Sequence, residues 1–155
     1  MKKIINKLRN LSTKIHNLIY CTEFYFNSKV RTYGTYTVKN PDKVVINGAL
    51  IINDYVYING FGGIEFGDNV ILSAGSKIVS TGLKITDGGF ENVHVSEKII
   101  IGNNVQIGAG AIVLQGVNIC DNVILGAGSI LAKNIDEPGI YVGNPAKKLR
   151  GFICD

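Results

Sequence analysis

The chain has 155 residues, 46% of them hydrophobic, with 19 glycines, no tryptophan and a formal net charge of +4. That length suits one domain with a substantial core, and the composition favours a β architecture cornered by glycine over a helical bundle. The cations gather at the two ends of the chain, which argues against a nucleic-acid groove along the body and for anionic partners at the ends.

Residues 2–20 place Ile4, Leu8, Leu11, Ile15, Leu18 and Ile19 at spacings of three and four, the stripe of an amphipathic helix. Lys, Arg and Asn lie opposite. Two readings stand: a cap packed over the end of the fold, and a basic surface helix drawn to anionic lipid at a membrane. His16 falls on the polar face and is expected to be solvated. The basic opening MKKIINKLRN is interrupted by charge too soon for a signal peptide, and no stretch approaches a membrane span. Cys21, Cys120 and Cys154 are widely spaced and odd in number, which reads as free thiols in a reducing compartment. The expected location is the cytoplasm, peripheral at the inner membrane surface if the helix meets lipid.

Residues 21–43 mix aromatic and polar side chains up to Pro41 and read as a connector with first, irregular strands. A period of six then begins at Ile46, Ile52 and Ile58. The step from Ile58 to Phe66 is two residues longer, around Gly60 to Gly63, before Phe66, Leu72 and Ile78 restore it. Residues 80–98 break the pattern altogether and form one long excursion containing His94. Such excursions from a rigid scaffold are where binding residues tend to sit.

The pattern is clearest from Ile101 to Ile135, where aliphatic residues recur at Ile101, Ile107, Val113, Ile119, Leu125 and Leu131. A period of six suits neither an amphipathic helix nor an alternating strand. It suits a solenoid in which each unit is one short strand and a corner, and three units close a triangular coil. After Ile135, DEPG makes a turn, and residues 141–150 run as a last strand and basic tail. The division is therefore residues 1–40 as helix and connector, 41–150 as a solenoid of about four coils with the loop 80–98, and 151–155 as a tail.

Six matches to a hexapeptide repeat, followed by AGS-x3-K and then GNPAKKLR, resemble the left-handed parallel β-helix acyltransferases. Within these the chain is similar to the maltose and galactoside acetyltransferases and the polysaccharide O-acetyltransferases, over roughly residues 41–150. The resemblance implies transfer of an acetyl group from acetyl-CoA to a hydroxyl of a sugar or nucleotide sugar, in surface polysaccharide biosynthesis. It also implies a homotrimer, since flat prism faces leave no deep pocket within one subunit.

Such chemistry needs a base for the attacking hydroxyl, and imidazole suits neutral pH. His94 is the histidine outside the first helix, and it lies in the excursion where the resembling enzymes carry theirs. Gapless alignment on the maltose-acetyltransferase pattern instead puts the family's histidine at Asp87, so Asp87 and Glu91 stand as alternative bases or as orienters of His94. Asn59, in VYING, matches an asparagine that binds the acceptor sugar in the family, and also reads as an ordinary corner residue. Ala109, Ala127, Ala132 and Lys133 fall where the family lines its pantetheine groove. Lys147 and Arg150 fall where it meets the nucleotide phosphates. No metal is expected: two histidines, one of them in the helix, exclude the three-histidine zinc site of a γ-class carbonic anhydrase. The alternatives are an amino-sugar N-acetyltransferase and an inactive solenoid scaffold.

Overall fold

A computed structural model describes residues 2–152; Cys154 lies outside them. Short parallel strands wind in a three-sided solenoid. The first coil holds β1 (Val30–Thr32), β2 (Thr37–Lys39) and β3 (Val44–Ile46), the second β4 (Leu50–Ile52), β5 (Tyr57–Asn59) and β6 (Ile64–Phe66). The third has β7 (Val70–Leu72) and β8 (Lys77–Val79), departs into a hairpin of β9 (Thr81–Thr86) and β10 (Gly89–Ser96), and returns as β11 (Ile99–Ile101). The fourth is β12 (Val105–Ile107), β13 (Ile112–Val113) and β14 (Asn118–Ile119). The fifth has β15 (Val123–Leu125), β16 (Ile130–Leu131) and a bridge from Ile135 to Ile119. A sixth tier on the first face, β17 (Gly139–Val142), is closed by the antiparallel β18 (Lys147–Arg150).

Five coils and a sixth tier replace the four expected, because the ladder begins at Val30 rather than Pro41. The irregular strands expected within residues 21–43 are β1 and β2, already in register with the ladder. Their aromatic and polar composition hid the period, but Val38 lies in the core six residues after Thr32.

Register makes the core. Ile52, Leu72, Ile107 and Leu125 stack on the first face, Ile58, Ile78 and Val113 on the second, Phe66, Ile101 and Ile119 on the third. All are buried, so each coil adds one aliphatic layer to a continuous column. The corners carry the backbone turns. Asn69, Asn104 and Asn122 adopt the left-handed region at φ +54°, +55° and +58°, which asparagine tolerates better than most residues. Their amides also link coil to coil, from Asn69 to Asn104 at 2.9 Å and from Asn104 to Asn122 at 3.2 Å. At Gly108 a Cβ would stand 2.5 Å from the Leu125 carbonyl oxygen and 2.6 Å from the Ala127 nitrogen, so only glycine lets these coils approach.

The helix α1 (Lys2–Tyr20) caps the first coil with its polar face. Asn17 is buried and its Nδ2 donates to the Gly34 carbonyl at 3.0 Å. Cys21, just past the helix, donates its thiol to the Tyr36 carbonyl. His16 is half-buried rather than solvated, with Nε2 3.3 Å from the same oxygen, a hydrogen bond that places the ring proton on Nε2. The physical reason is the open end of the ladder. Carbonyls of a terminal coil have no next coil to bond, and buried acceptors need donors. Polar side chains supply them, and the apolar stripe is left on the outside. A short helix, α2 (Thr22–Tyr25), then turns the chain into the solenoid, with Phe24 in the core.

Candidate active site

Three excursions stack on one edge of the prism, between its second and third faces. The one-turn helix Pro41–Lys43, the segment Gly60 to Gly63 and the hairpin β9–β10 follow β2, β5 and β8, which are neighbours in one sheet. Between them lies a cavity of about 250 Å³ lined by Lys39, Asn40, Asn59, Phe61, Thr81 and His94. Two residues singled out from the sequence, Asn59 and His94, thus share one wall.

Asn59 ends β5. Its Oδ1 accepts the Phe61 backbone N–H at 3.2 Å, which turns the chain outward and leaves the Nδ2 protons uncommitted among the described residues. Phe61 is held by Lys43, whose Nζ lies 4.6 Å from the ring centroid and donates to the Phe61 carbonyl at 3.1 Å. Ser80 braces the same corner, accepting from Gly62 N at 2.8 Å and donating to the Asn59 carbonyl at 2.7 Å.

His94 lies opposite Leu83 in the hairpin, and Ser96 lies opposite Thr81. Directly opposed residues share a face of an antiparallel pair. Thr81 and His94 are therefore on the cavity side, while Glu91, opposite Lys84, lies on the other face and is engaged by Lys84 Nζ at 3.0 Å. Asp87 sits in the exposed turn at the hairpin's far end, away from the cavity lining. The structure does not bring Asp87 or Glu91 to His94. A register shift between Glu91 and His94 accommodates Asn92 and Val93 as a bulge, the kind of local irregularity that re-aims a side chain.

The residues matched to a cofactor track are spread over the prism, and only two of them share the hairpin's edge. Ala109 and Ala127 occupy successive coils of the edge between first and second faces, next to Gly110 and Gly128 at φ +66° and +67°. Gly128 N donates to the Ala109 carbonyl at 2.8 Å and Gly110 N to the Ala74 carbonyl at 2.9 Å, so Ala74 extends the same strip of small, exposed corners. Ala132 and Lys133 follow β16, on the edge of the hairpin. Lys147 and Arg150 lie exposed in β18, with no carboxylate in ion-pair reach among the described residues. Lys148 differs: it pairs with Glu137, which holds that carboxyl below its ordinary range and raises the lysine. Within one chain these groups and His94 do not form a single groove.

Lys39, Asn40, Phe61 and Thr81 were not singled out from the sequence. The signal was the long step itself: Val38 to Ile46 repeats the two-residue lengthening of Ile58 to Phe66, one coil earlier. Read together, the three long steps mark one edge. Among the described residues no cluster of three metal-ligating side chains occurs.

Residues 98–133 match the family described as bacterial transferase hexapeptide, six repeats. The fold is a β-solenoid, and the matched segment carries its hexapeptide repeats. It is 34% identical to the galactoside O-acetyltransferase of Escherichia coli K12 over 64% of this chain and 46% of that one. The crystal structure of a maltose O-acetyltransferase from Clostridium difficile 630 matches with a TM-score of 0.73 and 26% identity, covering 81% of this chain and 68% of that one. A galactoside acetyltransferase in complex with coenzyme A matches with a TM-score of 0.66 and 27% identity, covering 79% and 64%. The chain spans between 46% and 63% of the length of the first curated relatives it matches.

Proposed function

We propose that the protein transfers an acetyl group from acetyl-CoA to a hydroxyl of a saccharide, with His94 as the general base. The observation that carries this is the cavity that His94 and Asn59 both line, with the Asn59 amide protons uncommitted among the described residues, on the edge where the repeat opens. Likeness to galactoside and maltose O-acetyltransferases supports the sugar, and the relative bound to coenzyme A supports the donor.

The reaction needs little else from the chain. Asn59 Nδ2 and Lys39 orient the acceptor, and Phe61 offers an apolar wall to a sugar ring. His94 takes the hydroxyl proton as the oxygen bonds to the thioester carbonyl carbon. The carbon–sulfur bond then breaks, and the proton passes from the imidazole to the departing thiolate, so that acetyl ester and CoA are the products. Asp87 and Glu91 take no part in proton transfer on this reading.

The donor is held between subunits of a homotrimer. The separation of His94 from Ala109 and Ala127 onto different prism edges supports a site completed by a neighbour, whose small corners leave room for an extended pantetheine arm. Lys147 and Arg150, unpaired among the described residues, meet the phosphates. Calorimetry on a sample whose mass is read by light scattering tests this. A trimer mass is expected, and Lys147→Ala with Arg150→Ala should weaken CoA about tenfold or more, charge-assisted hydrogen bonds being the strong ones. Dephospho-CoA should lose less, which would place these cations at the 3′-phosphate. A monomer would rule out the shared site, and unchanged CoA affinity would remove both cations from it.

A further inference from the structure

The outward face of α1 remains unexplained by acyl transfer. Ile4 is 66% exposed, Leu8 61% and Ile19 63%, and Leu11, Ile15 and Leu18 are also exposed along the same stripe, whereas Asn17 on the opposite side is 2% exposed. At about 100° per residue these six side chains cover roughly a third of the helix circumference. The helix therefore presents a polar side to the solenoid and a continuous apolar ridge to the outside. Its exposed Lys7 and Lys14 border that ridge. Residues 2–20 carry five Lys or Arg and no Asp or Glu.

We infer that α1 docks the protein on an anionic phospholipid surface, lying in the interface with the ridge among the acyl chains and the lysines at the headgroups. Three observations favour lipid over protein. A second copy of the same helix would bring cations against cations, a like-charge juxtaposition that opposes pairing. The complete lack of acids suits a negative surface, which attracts each cation. The helix crosses the end of the prism through its bonds to Gly34 and Tyr36, so the ridge projects from one end and leaves the hairpin edge open to an acceptor. The helix does not insert: none in the described chain is long and apolar enough to cross a membrane. An amphipathic helix of this kind lies in the interfacial plane instead. This inference stands apart from the acetyl-transfer reading and survives its failure.

The test is co-sedimentation of the full chain with vesicles of phosphatidylcholine alone and of equimolar phosphatidylcholine and phosphatidylglycerol. Binding is expected to the anionic vesicles, weakened by salt and much weaker on the neutral ones. Leu11→Glu with Ile15→Glu should lower partitioning at least tenfold, since charge is unfavourable among acyl chains. Lys7→Gln and Lys14→Gln should each lower it about fivefold. Circular dichroism checks that α1 persists in the glutamate variant, and the glutamine variants test the same claim without touching the ridge. Equal binding to both vesicle types, no binding to either, or indifference to the lysine changes would overturn the inference. So would a doubled particle mass abolished by the glutamate pair, which would assign the ridge to a second copy.

Discussion

His94→Ala should lower kcat for acetyl transfer by about two to four orders of magnitude, the usual contribution of a positioned general base. Affinity for acetyl-CoA should stay near the parent value, because Ala109, Ala127, Lys147 and Arg150, proposed to hold the donor, lie away from the hairpin's edge. Fold should survive as well: His94 is exposed on a hairpin that stands away from the aliphatic column. The control is Asp87→Asn. Asp87 lies in the exposed turn between β9 and β10, outside the cavity lining, and its substitution should change kcat little. Steady-state kinetics on an acetylated acceptor ranks the two, and a more damaging Asp87→Asn would move the base to the turn.

Phe66→Ala should cost about 3–5 kcal/mol of stability, the range for removing a buried aromatic side chain. Phe66 is fully buried and opposes Ile46 on one side of its ladder and Ile101 on the other. A void there opens between coils that meet only through such layers, and a solenoid has no other core to absorb it. Total stability of a domain is of order 5–15 kcal/mol, so one layer is a large share. Val45→Ala, in the adjacent strand but pointing outward, should be nearly silent. Urea unfolding at fixed protein concentration measures both, and equal costs would mean the columns are not the source of stability.

The hexad period made the solenoid legible because each leading aliphatic from Ile52 to Leu131 is a core residue by register, with Ile46 half-buried at the first coil. Its early coils were harder. Thr32 and Val38 follow the spacing, but Tyr33 and Tyr36 beside them obscure it, and Tyr36 proves to be buried. The excursion at residues 80–98 was visible as a break, though not as a hairpin. Its strands are polar enough that no alternation stands out, and the bulge at Asn92 and Val93 disrupts what there is.

The orientation of α1 was not legible for a different reason. An amphipathic pattern says which face is apolar and nothing about which face meets the fold. Here the deciding groups are backbone carbonyls at Gly34 and Tyr36, which carry no side-chain signature. The site was half legible. A histidine in the excursion and an asparagine at the preceding corner could be picked by type and place. Their meeting could not, since it depends on two excursions leaving the same prism edge one coil apart. Glu91 illustrates the limit. Three residues from His94 in sequence, it lies on the opposite face of the hairpin, as an odd spacing on a strand dictates once the excursion is known to be a strand.

The most direct test is mass spectrometry of a panel of free, nucleotide-linked and lipid-linked saccharides incubated with acetyl-CoA and the protein. The expected result is one class gaining an acetyl ester on a hydroxyl, with stoichiometric release of CoA and almost none of either with His94→Ala. CoA release with acetyl found on an amine, or ester formation undiminished in His94→Ala, would contradict the account.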